Sequence, residues 1–276
     1  MTIAPLFAVL VLQIAVNLID TLVVFVMNVS SDAKVSKSRS IGELMDYSIK
    51  QPMNLAFRSL AYFLVCAVVF GIWYRKVFAK DETPVSSIKK NALSLKWRIA
   101  LIVLAGVLAQ YAVDAALELL RDVSPESFTD YDEMIKSVVG VTASWVSLLA
   151  TFIAAPVAEE FIFRGVILGY SRDYLPDIAA VGLNALLFAV YHGNLIQGCY
   201  AFALGAVLAF LRVKMNSVLP GMLLHICINT SILFMPEFAK MGTGVVIASM
   251  ITAAAVFAVM IMLAVRKKKD SSLRSE

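Results

Sequence analysis

The chain has 276 residues, 60% of them hydrophobic and 16% charged, with a mean hydropathy of +0.82. A soluble domain carries roughly 45–50% apolar and ~25% charged residues, so a single aqueous core cannot absorb this excess. Lipid is therefore the solvent for much of the chain, which excludes a secreted globular enzyme, a disordered tail and a cytosolic nucleic-acid binder. The net charge of +4 conceals a positional asymmetry. Cys66, Cys199 and Cys227 are odd in number and lie in apolar runs, so no disulfide framework is expected. Each reads as a small buried hydrophobe.

A membrane helix needs about 20 largely apolar residues to cross ~30 Å of hydrocarbon. On that criterion the sequence predicts eight spans: Ile3 to Met27, Leu60 to Phe78, Ile99 to Leu120, Val138 to about Tyr170, Asp177 to about His192, Leu195 to Val213, Val218 to Met235, and Gly244 to Val265. The fourth is too long for one straight crossing and contains Pro156, which predicts a kink or break. The first run lacks the basic start and small-residue cleavage pattern of a signal peptide, so it reads as a retained span. Polar excursions over Asn28–Ser59, Ala79–Arg98 and Arg121–Ser137 are each too small to be a domain. The expectation is an all-α polytopic protein, one bundle of about eight helices around an internal polar cavity. Residues 1–137 supply three spans, 138–235 a core with unusual polar groups, and 236–276 a last span and a basic tail.

Lysine and arginine favour the cytoplasmic side of short loops. With the N-terminus inside, the inner loops and the tail (Arg266, Lys267, Lys268, Lys269, Arg274) hold fifteen basic residues, against eight outside. Both termini are therefore expected in the cytoplasm of a cell membrane, and the RKKK run reads as a stop-transfer anchor.

Ionisable groups inside spans are costly, so each calls for a reason. The fourth span carries AEEFIFRG with Glu159, Glu160 and Arg164; the fifth ends FAVYH, from Phe188 to His192; the seventh contains LPGMLLHICIN with His225 and Asn229. The chain has two histidines, and both lie in these stretches. Glu160 and Arg164 are i,i+4 with the acid first, the favourable order for an ion pair. Glu159 is about 100° away around the helix and is expected to point elsewhere, unpaired. His225 and Asn229 are i,i+4 and can face one point, whereas Cys227 faces another direction. At ~1.5 Å per residue, Glu159, His192 and His225 lie about 17, 22 and 11 Å from the inner ends of their spans, so all three can meet if the helices tilt. Asp20, Asp114 and Glu118 also lie in apolar runs, and Asp114 and Glu118 share a face that reads as a helix contact or a wet cavity. Asn184 reads as an interhelical hydrogen-bond donor.

EEFIFR matches the pattern Glu-Glu-x-x-x-Arg, FAVYH matches Phe-x-x-x-His, and HICIN matches His-x-x-x-Asn, in that order, on separate spans, with Leu219-Pro220 ahead of the last. The chain resembles the CPBP family of intramembrane proteases, the CAAX proteases and bacteriocin-processing enzymes also called Abi. The motif region runs from about Val138 to Phe234. Cys227 and Ile228 stand where the family has small residues and often a second Asn.

Peptide hydrolysis needs an activated water, an oxyanion site and a proton for the leaving amine. The reading that follows makes Glu159 the base and then the acid, with His192 helping to hold the water. His225 and Asn229 then serve the oxyanion, Glu160 and Arg164 form a structural pair, and Phe188 walls the pocket. The resemblance implies the same chemistry, a glutamate-dependent protease without a nucleophilic serine. No cofactor is favoured. Glu159, His192 and His225 are also the three groups that can make an open zinc site, and the family has been described both ways. Asn229 is a poor zinc ligand and a good oxyanion donor, and the sequence has no HExxH. The resemblance implies a membrane-associated peptide or protein substrate, with CAAX-type processing, bacteriocin maturation and self-immunity all within the family. Two other classes compete: a proton-coupled transporter using Glu159 and the histidines as a relay, and a non-catalytic immunity protein.

Overall fold

The structure, a computed structural model, describes residues 4–5, 7–15, 18, 52–81, 95–135, 144–234 and 241–265. Asp20, most of the first expected span and the RKKK tail lie outside the described residues. Within them the chain is helical without strands, an all-α polytopic membrane protein. The helices are α1 (Pro52–Val77), α2 (Leu95–Val123), α3 (Thr129–Ile135), α4 (Trp145–Arg172), α5 (Asp177–Tyr191), α6 (Leu195–Met215), α7 (Leu219–Ser231) and α8 (Thr243–Val265). Among the described residues, α1, α2, α4, α6 and α8 are long and apolar enough to cross a bilayer, while α5 and α7 are shorter apolar helices.

Helix ends follow local chemistry. Ser144 caps α4, its hydroxyl accepting from the Ser147 N–H at 3.2 Å, and Asn194 caps α6 through the Gln197 N–H at 3.0 Å. Gly193, at φ 67°, supplies the left-handed residue that reverses the chain between α5 and α6. Asn216, at φ 48°, ends α6 in the same region. Pro220 sits in the first turn of α7, where a missing N–H costs nothing.

The long axis of the bundle is α4. In its most apolar window 61% of residues are buried, against 17–33% for the other long helices, so α4 is the one most enclosed by protein. On one side α1 packs along it, joined by Phe70, Tyr74, Ile162, Phe163 and Val166. On the other, α2 packs against α7 and α8, with Ile102, Ala105, Leu224, Ile228 and Ile261 in the seam. Gly106 makes that crossing possible: a Cβ there would lie 2.5 Å from the Cys227 Cβ. This is the small-residue approach expected of helices packed in lipid.

Three expectations need correction. Of the kink or break expected at Pro156, the break does not occur. The crossing stays helical from Trp145 to Arg172 because two stretches, Ala150–Ala154 and Glu160–Ile167, wind as π-helix. The Ala155 N–H bonds back to the Ala150 carbonyl, a wider turn that absorbs the proline's missing donor. The polar excursions contain structure: α1 begins at Pro52 rather than near Leu60, and the segment after Arg121 holds a 3₁₀ turn (Pro125–Phe128) and α3. Cys199 is exposed rather than buried, on the outer surface of α6, while Cys66 is buried.

Candidate active site

A cavity of about 350 Å³ opens among the seven helices α1 to α7. Glu159, Phe188, His192, His225 and Asn229 all line it. Three helices far apart in sequence, α4, α5 and α7, thus deliver the predicted groups to one space. Glu160 and Arg164 lie behind the wall, both fully buried.

Glu160 Oε1 is 3.1 Å from Arg164 Nη1, the i,i+4 pair expected from the motif. The Arg164 guanidinium makes two further contacts, although its buried Nε has no hydrogen-bond partner among the described residues. Its Nη2 donates to the Gly205 carbonyl at 3.1 Å, and its Cζ lies 4.2 Å from the centre of the Phe188 ring. A cation buried in lipid thereby gains a counter-charge, a carbonyl dipole and an aromatic face.

His225 departs from expectation. Its Nδ1 is 3.2 Å from Glu160 Oε1 and its Nε2 is 3.6 Å from Glu159 Oε2. The two glutamates do diverge around the helix, yet an imidazole wide enough to offer a nitrogen to each brings them back to one group. Glu159 is therefore not left over, and Glu160 does more than neutralise Arg164. A carboxylate oxygen only accepts, so Nδ1 carries the proton it shares with Glu160.

His192 caps α5. Its Nδ1–H donates to the Phe188 carbonyl at 2.7 Å, which leaves Nε2 of the neutral ring as an acceptor. The Phe188 ring stands edge-on to both imidazoles, with centroids 4.6 Å from His192 and 5.8 Å from His225. Asn229 donates through Nδ2 to the Thr151 carbonyl at 3.5 Å, across to the first π-helical stretch of α4. Asn184 donates to the Phe163 carbonyl at 2.7 Å, the interhelical bond expected of it. Across the cavity α3 contributes Tyr131, whose phenol burial pushes above its ordinary value, so it remains a hydroxyl at neutral pH.

The zinc alternative does not fit this arrangement. Among the described residues no three His, Cys, Asp or Glu side chains form a group able to hold an ion. No step below is routed through a metal.

Gly221 escaped the sequence reading. A Cβ there would lie 2.7 Å from Glu160 Oε2, a buried oxygen without a hydrogen-bond partner among the described residues. The legible signal was a glycine one turn before His225, on the same face of α7.

Residues 141–231, about a third of the chain, match the family model described as Rce1-like, type II CAAX prenyl endopeptidase Rce1-like. This segment is an Rce1-like domain. It spans all three motifs, in line with the CPBP resemblance. The match supports, at the level of the family, a membrane-embedded protease of the CAAX type. No curated protein and no solved structure matches the chain.

Proposed function

We propose that the Rce1-like domain hydrolyses a peptide bond of a membrane-associated substrate with a water activated by Glu159. The single observation that carries this reading is the convergence of Glu159, His192, His225 and Asn229 on one cavity inside the bundle. A water between Glu159 and Nε2 of His192 would meet two acceptors. Glu159 takes its proton as the oxygen attacks the carbonyl carbon, and returns that proton to the nitrogen of the departing amine. The proton balance closes on one carboxylate, and no covalent enzyme intermediate forms.

The tetrahedral oxyanion needs N–H donors. Asn229 turns its Nδ2 from the long contact with Thr151 toward the substrate oxygen. His225 gives its Nδ1 proton to Glu160, so it donates through Nε2 only when it is an imidazolium. Glu160 supplies the negative charge against which that cation forms. The ring then passes between Glu159 and the oxyanion as a positive donor, worth more in a water-poor cavity than a neutral one.

The family description supports a CAAX-type substrate carried to the protein in the membrane. The fifteen-to-eight excess of basic residues supports a cell membrane with both termini in the cytoplasm. Alanine at Glu159, His192 or His225 abolishes cleavage while leaving the protein in the membrane. Full activity in Glu159→Ala ends the proposal.

A further inference from the structure

Besides the residues of the motifs, the cavity has a second group of polar lining residues. Gln110 of α2, Tyr131 of α3, and Gln197 and Tyr200 of α6 line it. Behind Gln110, one helical turn along α2, stands Asp114. The Gln110 amide donates to Asp114 Oδ1 at 2.9 Å, so the carboxylate is tied to a residue of the cavity surface. Tyr131 and Tyr200 meet edge to face, centroids 6.4 Å apart, and both lie within electrostatic reach of Asp114.

A carboxylate within an apolar span requires a partner. The acids of the motifs have theirs in Arg164 and His225. Asp114 has a neutral amide and two phenols, and no basic side chain within ion-pair distance among the described residues. Arg121, two turns further on, is taken: it grips Asp132 with two hydrogen bonds at 2.5 and 2.8 Å, lies 3.8 Å from Glu118, and covers the Phe128 ring at 4.6 Å. A cation held in the cavity beside Gln110 would supply the charge that Asp114 lacks. A flexible cation arriving there would meet the Gln110 carboxamide and two tyrosine rings, with the Asp114 carboxylate one hydrogen bond behind, a combination that favours ammonium and guanidinium over neutral groups.

We propose that Asp114, presented through Gln110 and flanked by Tyr131 and Tyr200, is a subsite for a basic side chain, lysine or arginine, of the peptide whose scissile bond lies against Glu159. The subsite deepens the peptidase reading and rests on it for its substrate. It selects which peptide is cut and takes no part in the bond-breaking step.

The test uses the full-length protein in detergent or bilayer. Quenched fluorescent peptides are compared in matched pairs, with lysine or Nε-acetyl-lysine at each position around the cleavage site. At one position the lysine peptide is cut with about tenfold higher kcat/KM or more, the scale of one charge-assisted hydrogen bond. Asp114→Asn removes that preference through KM and leaves the acetyl-lysine peptide unchanged; Gln110→Leu weakens it in the same direction. Equal losses on both members of every pair, or no preference in the wild type, overturn the subsite. A second readout needs no cleavage: hexylammonium raises the Tm of the wild type more than hexanol does, and Asp114→Asn abolishes the difference. If no peptide is cut by the wild type, the hydrolase reading falls, and the hexylammonium shift alone decides the subsite.

Discussion

His225 stands between two carboxylates, with Nδ1 3.2 Å from Glu160 Oε1 and Nε2 3.6 Å from Glu159 Oε2. The two acids adjoin in sequence but serve the ring from opposite sides. One is fully buried and paired with Arg164; the other lines the cavity. A division of labour follows, in which the inner acid holds the imidazole and the outer one handles water.

Removing the inner acid should harm stability as well as activity. Glu160→Ala leaves Arg164 buried without its counter-charge, which costs about 3–5 kcal/mol for a broken buried pair. Glu160→Gln keeps an acceptor for Nδ1 and unfolds at a higher temperature than Glu160→Ala, yet loses most cleavage because the imidazolium loses its counter-ion. With two histidines in the chain, the ¹⁵N imidazole spectrum resolves His225 directly. Its Nδ1 resonance should move in Glu160→Gln and stay put in Asp114→Asn. An unmoved resonance would mean that the contact is incidental.

Gly221→Ala probes the same contact without touching a titratable group. Its new Cβ falls 2.7 Å from Glu160 Oε2, so either the carboxylate or α7 must shift. Overpacking of this kind costs about 1–3 kcal/mol, and the rate of cleavage should fall with it. Gly182→Ala in α5 is the control. Nothing lies within 4 Å of a Cβ there, and a mid-helix alanine gains roughly 0.5–1 kcal/mol over glycine. Equal melting temperatures and rates for the two variants would remove Gly221 from the account.

Much of this arrangement was legible beforehand because hydropathy and helical spacing are local properties. The i,i+4 separation of Glu160 and Arg164 on one helix is enough to pair them. Glu160 and His225 are 65 residues apart. Their contact depends on how closely α7 approaches α4, which Gly221 sets and a one-dimensional pattern does not show. The break expected at Pro156 is absent for a related reason. A proline breaks an α-helical ladder, but the π turn at Ala150–Ala154 moves the neighbouring bonds by one residue and lets the span continue. The start of α1 and the whole of α3 went unread because their polar residues, Arg58, Asp130 and Asp132 among them, dilute the apolar signal that marks a span.

Chelation offers an independent check on the chemistry. Protein treated with a strong chelator should cleave at its original rate, since no three-ligand group exists among the described residues. Loss of activity on chelation, with recovery on adding zinc, would require Glu159, His192 and His225 to regroup around an ion.

The most direct measurement is single-turnover cleavage by Glu159→Gln in reconstituted membranes, with the melting temperature recorded alongside. Glutamine preserves shape and one acceptor but cannot take a proton, so the rate should drop by about 10²–10⁴-fold, the contribution of a general base, with little change in Tm. Cleavage at the wild-type rate by that variant would contradict Glu159 as the group that activates water.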